Sequence, residues 1–149
     1  MFFGGIEPCI LLSIMNSYQQ ITINNSCSFE GVTLHSGEYS KITLHPSPAN
    51  TGIKFKRIDS KLPKGQNIIP ANFKNIRSSQ LCTTIENDYN LSVSTIEHLM
   101  AALYSYGIDN LLIDIETMPQ SSSDATDASY CYTRYLIKNI SKLGRNEIS

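Results

Sequence analysis

At 149 residues, 41% of them hydrophobic and 17% charged, the chain is long enough to bury one core and too short for two comfortable ones, so a single folded unit is expected. Twelve basic and thirteen acidic side chains leave a formal net charge of −1 with no block of either sign, which disfavours nucleic-acid binding driven by phosphate neutralisation. The four cysteines (Cys9, Cys27, Cys82 and Cys131) form no CxxC pair, so the composition points away from a zinc knuckle or disulfide framework and toward reduced thiols in the cytoplasm.

The first fourteen residues are apolar but lack a basic start and are broken by Glu7-Pro8. A secretory leader needs a charged opening and a longer apolar run, and a membrane span needs roughly 20 apolar residues, so neither is expected. Residues 1–16 read as an extension with Met15 as a candidate start, residues 17–143 as the folded unit, and residues 144–149 as a polar tail.

Residues 20–44 read as two antiparallel strands, with Ile21 and Ile23 in the first and Tyr39, Ile42 and Leu44 in the second, joined by the loop from Gly31 to Gly37. His35 sits in that loop, where a histidine is either a surface residue or a binding group. Pro46-Ser47-Pro48-Ala49-Asn50-Thr51-Gly52 is a rigid turn, and Ile53-Lys54-Phe55-Lys56-Arg57-Ile58 then alternates apolar and basic residues as a strand with one buried face. Residues 61–70 are loop, with a short strand or turn at Ile68-Ile69-Pro70-Ala71. Leu81-Cys82-Thr83-Thr84-Ile85 is β-prone and leads through a turn at residues 86–90 to Leu91-Ser92-Val93, a hairpin that runs directly into a helix.

That helix is the centre of the sequence. In Ser94-Thr95-Ile96-Glu97-His98-Leu99-Met100-Ala101-Ala102-Leu103, the positions Ile96, Leu99, Met100 and Leu103 form one apolar stripe, while Glu97 and His98 point about 100° apart in the first turn. A carboxylate and an imidazole flanking one point beyond a helix end suit acid–base or metal chemistry. Ser94 followed by Glu97 at the third position is also a capping box, in which the two side chains satisfy each other's backbone amides. Both readings of Glu97 stand at this level, as do a ligand role and a packing role for His98. Gly107 is placed to cap the helix, and residues 108–115 form the strongest strand candidate. Residues 118–129 are a polar loop, and Tyr132, Leu136, Ile140 and Leu143 recur at the spacing of a terminal amphipathic helix.

Thr95-Ile96-Glu97-His98-Leu99, then Ala101-Ala102-Leu103 and Gly107-Ile108-Asp109-Asn110, resembles the helix and following strand of the zinc-dependent UDP-3-O-acyl-N-acetylglucosamine deacetylases of lipid A synthesis. The fragments Gly31-Val32-Thr33-Leu34-His35-Ser36-Gly37, Pro46 to Ile53, Ile69-Pro70-Ala71, and Arg77 with Leu81-Cys82-Thr83-Thr84 agree in order. The resemblance implies an α+β fold, a two-layer sandwich of a mostly antiparallel sheet with packed helices, which is one half of the duplicated deacetylase fold. It implies Glu97 as the general base, His98 as a ligand of a catalytic zinc ion, and His35, Leu81 and Cys82 near a UDP-sugar lipid substrate. The implied reaction is amide hydrolysis, in which zinc lowers the pKa of a bound water and the carboxylate takes its proton.

The family's remaining zinc ligands belong to a second half with a His-Lys-x-x-Asp-type motif, and no histidine follows His98 here. Since a catalytic zinc usually takes three protein ligands, the expectation is an N-terminal half that is inactive alone, completed by a second chain or left as a non-catalytic remnant with an exposed inter-half face. The family's loop after the last strand, roughly Pro-x-x-Pro-Ile-Met-Asp-Gly-Ser, is also altered. Of the segment from Met118 to Thr126, Asp124 and loosely Thr126 match it.

Overall fold

Alternation with period two builds the centre of the molecule. The computed structural model describes residues 19–33, 37, 39–117, 125–127 and 144–148. Its elements are β1 (Gln20–Ile23), β2 (Cys27–Val32), β3 (Tyr39–Pro46), β4 (Ile53–Arg57), β5 (Ile68–Pro70), a 3-10 turn (Phe73–Asn75), β6 (Ile76–Ser78), β7 (Thr84–Glu86), β8 (Ser92–Ser94), α1 (Glu97–Ser105), β9 (Leu111–Thr117), β10 (Ala125–Asp127) and β11 (Arg145–Ile148).

The main sheet has five strands in the order β2-β3-β9-β4-β5. The strand β9 lies between β3, to which it is antiparallel, and β4, to which it is parallel; the other neighbours are antiparallel. The register sets Leu44 opposite Ile113, Ile113 opposite Phe55, and Phe55 opposite Ile69, so one apolar row crosses four strands. Each of these side chains is fully buried. They share one core with Ile96, Leu99 and Leu103 of the helix segment, which places α1 against this face of the sheet. The fold is therefore α+β, a helix layered on a mostly antiparallel sheet.

The residues between those of the buried row face the opposite side of the sheet. There His45 Nε2 lies 3.1 Å from Asp114 Oδ2 and its Nδ1 lies 3.1 Å from Ser26 Oγ. The polar face thus keeps His45 on the side away from the helix.

A second sheet, β10-β8-β7-β6, is antiparallel except for the β10–β8 pair. The hairpin read at residues 81–93 is present, with Ile85 opposite Val93 and Glu86 opposite Ser92, although its first strand begins at Thr84 and leaves Leu81 and Cys82 in the preceding loop. Asn87 explains the tight turn: its side-chain oxygen accepts from the amides of Tyr89 and Leu91. The strand β6, which pairs with β7, lacks a sequence signal, because all three of its residues are exposed.

Three further differences separate the structure from the sequence reading. Ile21 and Ile23 do not belong to the hairpin with β3; β1 pairs instead with β11, so residues 145–148, read as a polar tail, form a strand. The backbone of Ile21 also receives the Asp109 amide at 2.9 Å and donates to Asp109 Oδ2 at 2.8 Å. The main strand starts at Leu111 rather than residue 108, because Gly107 and Ile108 close the helix. Gly107, at φ +65°, and Ile108 donate to the carbonyls of Tyr104 and Leu103, and Ile108 packs in the same core as Leu103. The apolar extension, most of the polar loop including Asp124, and the terminal helix read at residues 132–143 lie outside the described residues; Ala125–Asp127, read as part of that loop, form β10 instead, because they pair in parallel with β8.

Candidate active site

The hairpin β7–β8 delivers the chain into α1 with two residues between strand and helix. Thr95 takes φ +58° and Ile96, at φ −80° and ψ −15°, is the residue preceding the first helical turn. The capping box is therefore not formed. Ser94 belongs to β8, where its Oγ accepts from Thr84 Oγ1 at 3.0 Å, and no side chain caps the helix. Strand pairing has claimed Ser94, so the cap position falls two residues later than the sequence motif places it.

Glu97, released from that box, turns to the loop before β7. Its Oε2 accepts the backbone amide of Thr83 at 2.9 Å, while the Thr83 carbonyl receives the amide of Ile96 at 3.4 Å. Thr83 is thus held through both of its backbone groups by the start of α1. A carboxylate in a helix's first turn is also favoured by the positive end of the helix dipole. The two residues before Thr83 are Cys82, whose Sγ lies 3.8 Å from Thr84 Oγ1, and Leu81, which is 98% exposed. His98 follows Glu97 on the exposed side of α1, in line with Ala101 and the 86% exposed Tyr104, while Leu99, Ala102 and Leu103 are buried.

Of the sequence-derived candidates, Glu97 and His98 therefore stand in the first turn of α1, and Leu81 and Cys82 directly precede the Thr83 that Glu97 holds. His35 lies outside the described residues. The remaining histidine, His45, is on the far face of the sheet. Beside the site an apolar cleft of about 200 Å³ runs between Phe73, Ile76, Thr83, Ile96 and Met100.

The described residues do not fit a complete zinc centre. No three His, Cys, Asp or Glu side chains among them converge, and a catalytic zinc usually takes three protein ligands. Two participants escaped sequence reading. Thr83 acts through its backbone, which has no sequence signature, and Thr95 adopts a backbone conformation that is least expected for a β-branched residue.

The model of the UDP-3-O-acyl N-acetylglycosamine deacetylases (LpxC) matches residues 20–133. The chain belongs to this deacetylase family. It is 40% identical over 114 residues to a UDP-3-O-acyl-N-acetylglucosamine deacetylase of Idiomarina loihiensis, an alignment that covers 76% of this chain and 36% of the relative. The chain thus matches about a third of the length of that curated deacetylase. All five candidate positions (His35, Leu81, Cys82, Glu97 and His98) fall within the region that the deacetylase model matches. Among the described residues of this deacetylase-family chain, no helix is long and apolar enough to cross a membrane.

Proposed function

We propose that this chain supplies the general base and one metal ligand of a UDP-3-O-acyl-N-acetylglucosamine deacetylase site. The observation that carries the reading is the pairing of Glu97 with the Thr83 amide at the start of α1, inside the family-matched region. With Oε2 tied to Thr83, the carboxylate is oriented and its second oxygen is the one left to take a proton from an attacking water. The water oxygen then adds to the acetyl carbonyl, the carbon–nitrogen bond breaks, and the amine leaves with a proton. His98 is assigned as a metal ligand, and His35, Leu81 and Cys82 as neighbours of the UDP-sugar lipid substrate.

One histidine does not hold a catalytic zinc, so the other ligands are assigned to polypeptide equivalent to the remaining length of the relative. Free Cys27 and Cys82 accord with a reducing cytoplasm. A second reading, a non-catalytic domain with an uncovered face, draws on the exposed Phe73, Ile76, Leu81 and Tyr104 around the helix and cleft.

Zinc content after dialysis and release of acetate from the UDP-sugar substrate test both readings. The chain alone is expected to retain no stoichiometric zinc and to release no acetate. Addition of a polypeptide carrying the rest of the relative's length is expected to restore both, with turnover abolished by Glu97→Gln. Stoichiometric zinc in the isolated chain would overturn the division of ligands. A mixture that binds tightly without turnover would favour the non-catalytic reading.

A further inference from the structure

The described chain has three non-glycine residues with positive φ: Asn50 at 63°, Asn90 at 59° and Thr95 at 58°. The two asparagines occupy exposed turns, where their short polar side chains tolerate the left-handed region. Thr95 is different. It is β-branched, for which this region is an outlier, it is 2% exposed, and its Oγ1 is buried without a hydrogen-bond partner among the described residues. Both its backbone and its hydroxyl are therefore held in states that cost stability.

The surroundings explain how the conformation persists. On the strand side, Ser94 is fixed by the Thr84 hydroxyl and by its pairing with Asp127 of β10, next to the Ser92 and Val93 that pair with β7. On the helix side, Ile96 and Glu97 are fixed to the carbonyl and amide of Thr83. For Thr95 to relax to an extended or right-handed backbone, the first turn of α1 would have to swing away from Thr83. The strain is thus clamped between two sets of hydrogen bonds, and what it secures is the direction in which Glu97 and His98 leave the strand.

From this we infer that Thr95 is a positioning residue: its left-handed, buried side chain locks the turn that seats the Glu97 carboxylate on the Thr83 amide. The inference rests on the deacetylase reading for its purpose, but its physical content is the placement of Glu97. Glycine is the residue that best tolerates the left-handed region, yet it also opens the other regions, so a glycine here removes the strain and the lock together.

The experiment uses the intact chain and two variants, read by amide hydrogen exchange resolved by residue together with thermal midpoints. Thr95→Gly is expected to melt at or above the midpoint of the unaltered chain, while exchange at the Thr83 amide accelerates about tenfold and exchange at the core residue Ile113 stays constant. Thr95→Val keeps the branched shape and removes the unpartnered hydroxyl, so Thr83 exchange is expected to stay within about twofold of the unaltered chain. Thr83 exchange unchanged in Thr95→Gly, or accelerated only in parallel with Ile113, would overturn the inference. Should Thr95→Gly fail to fold, it would be overturned equally, because a residue whose strain is relieved cannot be needed for stability. None of these measurements involves turnover, so failure of the deacetylase reading and failure of the positioning role are separable.

Discussion

The Glu97 carboxylate and the Thr83 amide, fourteen positions apart in sequence, are joined by a hydrogen bond of 2.9 Å that ties the first turn of α1 to the loop before β7. This contact replaces the capping box, and it makes Glu97 structural and chemically available together. One carboxylate oxygen holds the loop that follows Leu81 and Cys82, and the other is the one that the proposed function assigns to take a proton.

Glu97→Ala is expected to lower the free energy of unfolding by about 1–3 kcal/mol, the range for stranding an amide that had a charged acceptor. Glu97→Gln keeps a neutral acceptor and is expected to cost about 1 kcal/mol or less. Urea unfolding of the two variants separates the structural share of the residue from its proposed chemical share. Equal midpoints for Glu97→Ala and the unaltered chain would argue that the contact with Thr83 contributes nothing in solution.

Asn110 is 1% exposed and serves as a hub: its Oδ1 accepts the amides of Thr51 and Gly52, each at 2.9 Å, and its Nδ2 donates to Gln20 at 2.8 Å. Asn110→Ala strands these groups and is expected to cost about 1–3 kcal/mol for each amide left without a partner. Asn110→Asp retains the acceptor and is expected to be the milder change. The measurement is equilibrium denaturation, and a cost for Asn110→Ala below that of Asn110→Asp would contradict the geometry.

Alkaline pH is expected to destabilise the fold through two groups. Burial pushes the Cys27 thiol up, against a smaller opposing effect of its hydrogen bond with the Leu44 backbone, and the hydrogen bond from the Tyr39 hydroxyl to Glu30 raises the phenol. Both pKa values are raised by folding, so the fold favours the protonated forms. Their contribution is complete below the unfolded-state values and is lost as pH rises through the folded-state ones, that is, beyond about 8.5 for the thiol and about 10 for the phenol. Denaturation midpoints from neutral to strongly alkaline pH should fall over that window, and Cys27→Ser with Tyr39→Phe should flatten the decline. A midpoint that rises over the same window would have the wrong sign.

Phe55 occupies the centre of the apolar row between Ile113 and Ile69 and is fully buried. Truncation to alanine leaves a cavity walled by β-sheet on two sides and is expected to cost about 3–5 kcal/mol. Ile53→Ala, at the partly buried start of the same strand, should cost less, and denaturant titration of both checks the order.

The elements with a strong local signal were legible without coordinates: the β-prone runs of β3 and β9, the alternation in β4, the β7–β8 hairpin with its turn at residues 86–90, the apolar stripe of α1 and the glycine that ends it. Those patterns report which side of an element meets water, a property that neighbouring residues encode together. The motif around Glu97 and His98 also named the family, since the order of several short fragments carries that information.

What only the tertiary structure decided were the contacts between distant segments. The pairing of β1 with β11, the loss of Ser94 from the cap position to strand pairing, and the attachment of Glu97 to Thr83 depend on backbone groups, which every residue possesses and no side chain advertises. Thr95 is the extreme case. Its local preference argues against the conformation that it adopts, and it is held there because hydrogen bonds on both sides outweigh the preference of one residue.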